Sequence, residues 1–119
     1  MREVPVLDQA QIQRLKEWGG TDLQRKMIDL FLTHAGERVA QIKKGLAEQD
    51  PRGAETGAHT LKSSAGNVGA RRLQELSTDA ETMAERGELP SLQELFPSIE
   101  REFEATCQAL RIVMKELPE

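Results

Sequence analysis

Apolar residues recur every three to four positions in four long stretches of the chain and nowhere alternate strictly with polar ones. Between 21 and 49 the stripe is Ile28, Phe31, Leu32, Ala35, Val39, Ile42 and Leu46. From 51 to 67 it is built of smaller residues, Ala54, Ala58, Leu61 and Ala65, and runs on to Val68. Leu73, Leu76, Ala80 and Met83 mark 70–86, and Leu92, Phe96, Ile99, Phe103, Leu110, Val113 and Leu117 mark 91–117. A period near 3.6 is that of helices burying one face, and four such faces cover one another in a bundle. Short linkers make successive helices antiparallel. The expected fold is therefore all-α, an up-down four-helix bundle with an additional short N-terminal helix over about 8–18.

The residues between stripes agree with these limits. Asp8 with Gln11, Thr21 with Gln24, and Ser91 with Glu94 fit the capping-box spacing, and Asp50-Pro51 pairs an N-cap with proline at the first helical position. Gly19-Gly20, and Gly87 followed by Pro90, read as helix stops. Pro97 lies within the last helix, where its ring opposes a carbonyl one turn back, so a kink or restart is expected there. Gly36 and Gly45 weaken the second helix by about 1 kcal/mol each relative to Ala.

Length and composition then narrow the class. The 119 residues suit one domain, 1–119. Aromatics at 3% and the absence of Tyr disfavour sheet. A single cysteine, Cys107, excludes an internal disulfide and fits a core position in a reducing compartment. The chain has no apolar leader-like run at its start and no membrane-length apolar segment, so a soluble, cytoplasmic protein is expected. Lys and Arg are dispersed in a chain of net charge −4, which argues against nucleic acid and for a protein partner.

The third predicted helix carries the candidate chemistry. At 100° per residue His59 falls well away from the stripe of Ala54, Ala58, Leu61 and Ala65, and so faces solvent. The same face holds Arg52, Glu55, Lys62, Ser63 and Gly66. An imidazole near neutrality, a lysine three residues on and small neighbours meet the needs of a phosphoryl acceptor: a free nitrogen lone pair, a cation for the phosphoryl oxygens and access for a partner.

The run Ala58-His59-Thr60-Leu61-Lys62-Ser63-Ser64-Ala65-Gly66-Asn67-Val68-Gly69-Ala70, followed by Leu73, resembles the motif of histidine-containing phosphotransfer (HPt) domains. The resemblance implies that His59 is the phosphorylated residue, Lys62 the cation that supports the phosphoryl group, Ser63 and Gly66 the small residues giving access, and Gly69-Ala70 a close helix–helix turn. Many members carry Gly directly after the lysine, where this chain has Ser63. By the same resemblance the partners are response-regulator receiver domains and a hybrid sensor kinase. The chain itself would hold no cofactor, Mg²⁺ belonging to the receiver, and would act as a stoichiometric carrier in a two-component phosphorelay.

Other readings compete with this one. A helical adaptor without phosphoryl chemistry would use the same bundle, and a sensor-kinase dimerisation segment would place its histidine in a dimeric two-helix hairpin, which five capped helices disfavour. His34 lies off its stripe and reads as ordinary surface. Glu55 and His59, four apart, have metal-ligand spacing, but no third ligand is identifiable. Leu23, Met27 and Leu30 widen the second helix's apolar face. Packing against Ile12, Leu15 and Trp18 accounts for them, with docking of a receiver domain through Leu23 and Met27 as the functional alternative. No G-x-x-x-x-G-K-[ST] loop is present, so autophosphorylation is not expected. The four stripes satisfy one another, which predicts a monomer.

Overall fold

The computed structural model describes residues 5–118. Four helices follow in order: α1 (Gln9–Ala47), α2 (Pro51–Asn67), α3 (Arg71–Glu85) and α4 (Leu89–Glu116). Each packs on the next, and α4 returns to α1, so the helices enclose one core. The described residues include no strand.

The helical run α1 contains both of the first two predicted segments. Its backbone leaves helical geometry at Gly19 and Gly20, and Gly20 takes φ 69°, a left-handed value that glycine adopts without a Cβ penalty. Asp8 caps the start by accepting a hydrogen bond from the Ala10 amide at 3.0 Å. The rest of the predicted capping box is absent, because the Gln11 side chain donates instead to the Asn67 carbonyl at 3.2 Å. Gln24 likewise does not close a box with Thr21. Its side chain is buried across the glycine break and donates to the Ile12 carbonyl at 3.0 Å, tying the stretch before the break to the one after it.

The start of α2 is as predicted, with Pro51 in its first turn and the Asp50 carboxylate accepting from the Gly53 amide at 3.1 Å. The start of α4 is not. That helix begins at Leu89 with Glu88 as its cap, so Ser91 and Glu94 lie inside it and Pro90 opens the helix that it had been read as preceding. A proline in the first turn lacks only an amide proton that has no helical acceptor there. Pro97 causes no restart, since α4 continues to Glu116. Pro97 and Gln93, one turn back, are both exposed, and water can serve the carbonyl that the proline leaves unpaired.

The predicted stripes form the core. Ile28, Ile42, Leu61, Leu73, Leu92, Ile99 and Leu110 are fully buried, as are Ala54, Ala58 and Ala65 of α2, and Cys107 is buried. Leu32, Val39, Leu76, Met83, Phe103 and Val113 pack against its edge. Two hydroxyl residues share the interior: Ser77 and Thr106 donate back to the Leu73 and Glu102 carbonyls at 2.7 Å each, which satisfies them without a partner helix. Small residues on α1 and α2 let the two helices approach closely. A Cβ on Gly57 would lie 3.0 Å from the Arg38 carbonyl oxygen, and one on Gly45 2.7 Å from the Ala54 amide nitrogen.

The α2–α3 turn needs glycine for two reasons. Gly69 has φ 77°, and a Cβ there would meet the Asp8 carbonyl oxygen at 2.8 Å. The start of α1 is tied to this turn, with the Asp8 amide donating to the Gly69 carbonyl at 2.7 Å and the Asp8 carboxylate 3.0 Å from Arg71 Nε.

Candidate functional site

His59 projects from the middle of α2 on the face away from Ala54, Ala58, Leu61 and Ala65, and its side chain is 62% exposed. Lys62, one turn on, shares that face and is partly covered. Both meet one carboxylate from the neighbouring helix. Glu81 of α3 places Oε2 on His59 Nδ1 in a short contact and Oε1 2.7 Å from Lys62 Nζ. The tight hairpin at Gly69-Ala70 sets this register, because counting outwards from the turn along α2 and α3 brings 59 and 62 opposite the turn of α3 that holds 81.

Electrostatics follow from the same contacts. The hydrogen bond from Lys62 holds the Glu81 carboxyl below the ordinary glutamate range, assisted by His59 and opposed by partial burial. Glu81 is thus a carboxylate at neutral pH and acts only as an acceptor. A carboxylate can only accept in this contact, so Nδ1 is the donor, and in the neutral ring that tautomer carries its lone pair on Nε2.

Glu81 was missed in the sequence. It lies off the apolar stripe of α3 and carries no motif; pairing residues outwards from Gly69-Ala70 was the one route to it. Of the predicted small residues, Ser63 is exposed beside the site. Gly66 is half-buried, and a Cβ there would come 2.6 Å from the Gln74 side-chain nitrogen, so its smallness serves the α2–α3 contact as well as access. Glu55 lies one turn before His59, whereas the ring turns to Glu81; among the described residues no group of three or more His, Cys, Asp or Glu is placed to hold a metal ion.

Beside the site, α1 and α2 form a groove of about 330 Å³ lined by Met27, Leu30, Phe31, His34 and Arg38 on one side and Thr60, Ser64 and Asn67 on the other. His34, read as ordinary surface, is exposed but forms part of this wall. The expected packing of Leu23, Met27 and Leu30 under the first stretch of α1 is incomplete. Ile12 and Leu15 are buried, but Trp18 is 68% and Leu30 44% exposed. The extended φ of Gly19 and the left-handed Gly20 turn the chain after Trp18, and Leu23 packs beside Gly19 rather than in the groove.

A bundle that offers one imidazole nitrogen to solvent, with a lysine and a carboxylate held beside it, is the architecture of a histidine phosphotransfer protein. Comparison with known proteins agrees. The model of the Hpt domain family matches residues 26–112, and the chain belongs to that family. It is also similar to the crystal structure of histidine-containing phosphotransfer protein B (HptB) from Pseudomonas aeruginosa PAO1, with a TM-score of 0.90 and 26% identity over 98% of this chain and 100% of that one. A comparison with curated proteins gives no match. The protein works in histidine phosphotransfer within a phosphorelay, and receiver domains are its class of partner.

Proposed function

We propose that His59 Nε2 is the phosphoryl acceptor, receiving the group from a receiver-domain aspartate and passing it to the aspartate of a second receiver. The contact between His59 Nδ1 and Glu81 carries this reading, because it leaves Nε2 as the unprotonated nitrogen of an exposed ring. Lys62 waits on Glu81 within one helical turn of the histidine and supplies the cation for the phosphoryl oxygens. Ser63 leaves room for the incoming acidic pocket. Met27 and Leu30, in the groove alongside, give the receiver an apolar surface to dock on, while Leu23 lies nearer the Gly19 break.

The chain is a single domain of this type, in which the stretch before Gly19 acts as the additional short N-terminal helix and braces the α2–α3 turn. It is a monomeric cytoplasmic carrier, not a catalyst, and needs no cofactor of its own; Mg²⁺ comes with the receiver. Its donor is the receiver of a hybrid sensor kinase. Among the described residues no helix is long and apolar enough to cross a membrane. The test is transfer from phosphorylated receiver domains to wild type and to His59→Gln. Label that enters wild type and is absent from the variant supports the reading; label on the variant, or none on wild type with every receiver tried, replaces the carrier with an adaptor.

A further inference from the structure

We propose that Ser63 is a phosphoryl-binding residue: once His59 Nε2 is loaded, the Ser63 hydroxyl donates a hydrogen bond to the phosphoryl oxygens from the side of α2 opposite Lys62. The proposal rests on the carrier reading above and gives Ser63 a part in it beyond leaving room.

Helical phase puts the hydroxyl on the correct side of the ring. At about 100° per residue, Lys62 lies about 60° round α2 from His59 in one direction and Ser63 about 40° in the other. Contacts identify the two directions. Lys62 meets Glu81 of α3, whereas Thr60 and Asn67, about 100° and 80° round on the Ser63 side, line the groove shared with α1. The ring gives Nδ1 to Glu81, on the α3 side. The two nitrogens of an imidazole point in nearly opposite directions, so Nε2 is turned away from α3 and towards the side of Ser63. Side chains of a helix lean back over the preceding turn, which carries the Ser63 hydroxyl towards His59.

The hydroxyl is also uncommitted. Thr56, Ser77, Thr78, Thr82 and Thr106 each donate to the carbonyl four residues back in their own helix, a common resting place of a helical hydroxyl. For Ser63 that carbonyl belongs to His59, and among the described residues the exposed Ser63 hydroxyl makes no such bond. Its donor is available to a group arriving from solvent.

Loading supplies that group. Attack by Nε2 on the receiver's acyl phosphate forms the N–P bond and breaks the P–O bond, whose electron pair leaves with the aspartate as a carboxylate. The phosphoryl group that arrives is anionic and has a donor on each flank, the Lys62 ammonium and the Ser63 hydroxyl. Ser63 keeps its proton and only donates. Because this hydrogen bond exists only in the loaded protein, it favours that state and moves the sharing of phosphoryl between receiver and His59 towards His59.

Ser63→Ala and Ser63→Thr in the full chain test this. Forward and reverse transfer with one receiver are followed by rapid quench, and the ratio of the two rate constants gives the equilibrium constant for sharing the phosphoryl group. Docking speeds both directions alike and drops out of that ratio, so a residue that only shapes the surface cannot move it. The alanine variant keeps the helix and loses only the hydroxyl. It is expected to shift the constant towards the receiver by about three- to tenfold, the worth of one hydrogen bond. The threonine variant, which keeps the donor, should hold the wild-type value. An unmoved constant in the alanine variant overturns the inference, whether or not its rates fall, and leaves the carrier reading intact. An equal shift in both variants overturns it as well, because the loss would then not follow the hydroxyl. Failure of wild type to load on His59 overturns both.

Discussion

Lys62 of α2 and Glu81 of α3 form an ion pair across the helix hairpin, with Nζ 2.7 Å from Oε1, and the same carboxylate holds His59. The cation proposed for the phosphoryl group is therefore held in place before that group arrives, which lowers the entropy lost in recruiting it. Lys62→Ala is expected to slow transfer from a phosphorylated receiver by about tenfold or more, the effect of losing one charge-assisted contact of roughly 1.5 kcal/mol or above in the transition state. Its unfolding free energy should fall by about 1 kcal/mol or less, as for other partly exposed pairs. Rapid-quench transfer assays and urea unfolding measure the two; unchanged transfer removes Lys62 from the mechanism.

His59→Gln should leave the fold intact, because the ring stands 62% exposed on α2 and its removal opens no cavity. The thermal midpoint is expected to move by under about 3 °C. The wild type should take up a label that is lost in acid and retained in alkali, as an N–P bond requires, and the variant none. A variant labelled as well as wild type would move the acceptor elsewhere.

The Glu81 carboxyl is held below its ordinary value, chiefly by the Lys62 hydrogen bond. For a depressed carboxyl the stabilisation is present above the unfolded value, about 4.3, and is lost as pH falls through the lower folded value. The stability difference between wild type and Glu81→Gln should thus be at its full value near pH 5 and shrink below about 4.3. Chemical unfolding at a series of pH values checks this, and a difference that grows with acid contradicts it.

Gly45→Ala should destabilise the protein although alanine is the better helix former. A Cβ at 45 would stand 2.7 Å from the Ala54 amide nitrogen and 2.9 Å from the Asp50 carbonyl oxygen, both backbone atoms at the start of α2. Separating the helices is expected to cost about 1–3 kcal/mol, more than the gain of about 1 kcal/mol in propensity. Urea unfolding decides, and a stabilised variant would mean that α1 and α2 part easily.

Leu30→Glu tests the groove. Leu30 is 44% exposed on its rim, so the substitution should spare the fold yet raise by about tenfold the receiver concentration needed for half-maximal transfer, equivalent to roughly 1.4 kcal/mol of docking energy. Loading by phosphoramidate, which needs no docking, should be unchanged. An equal loss with both donors would point to a damaged site instead.

The sequence by itself determined the helices, their buried faces and the placing of His59 and Lys62 off the buried stripe, because each follows from a 3.6-residue period and local punctuation. Asp50 with Pro51, Gly20 and Gly87 act where they were read to act. Local signals failed where a partner distant in the chain offered a better bond. Gln24 turns to Ile12 and Gln11 turns to Asn67. The start of α4 differs for another reason, since Pro90 fits the first turn and the helix begins at Leu89, ahead of Ser91. Only the tertiary structure decided that Gly45 is a point of contact, that Trp18 stays exposed and that Leu30 and His34 line a groove. It also brought Glu81 to His59. The partner of a side chain on one helix is chosen by the register of the next, and that register is set by the Gly69 turn and core packing, which no periodicity within a single helix records.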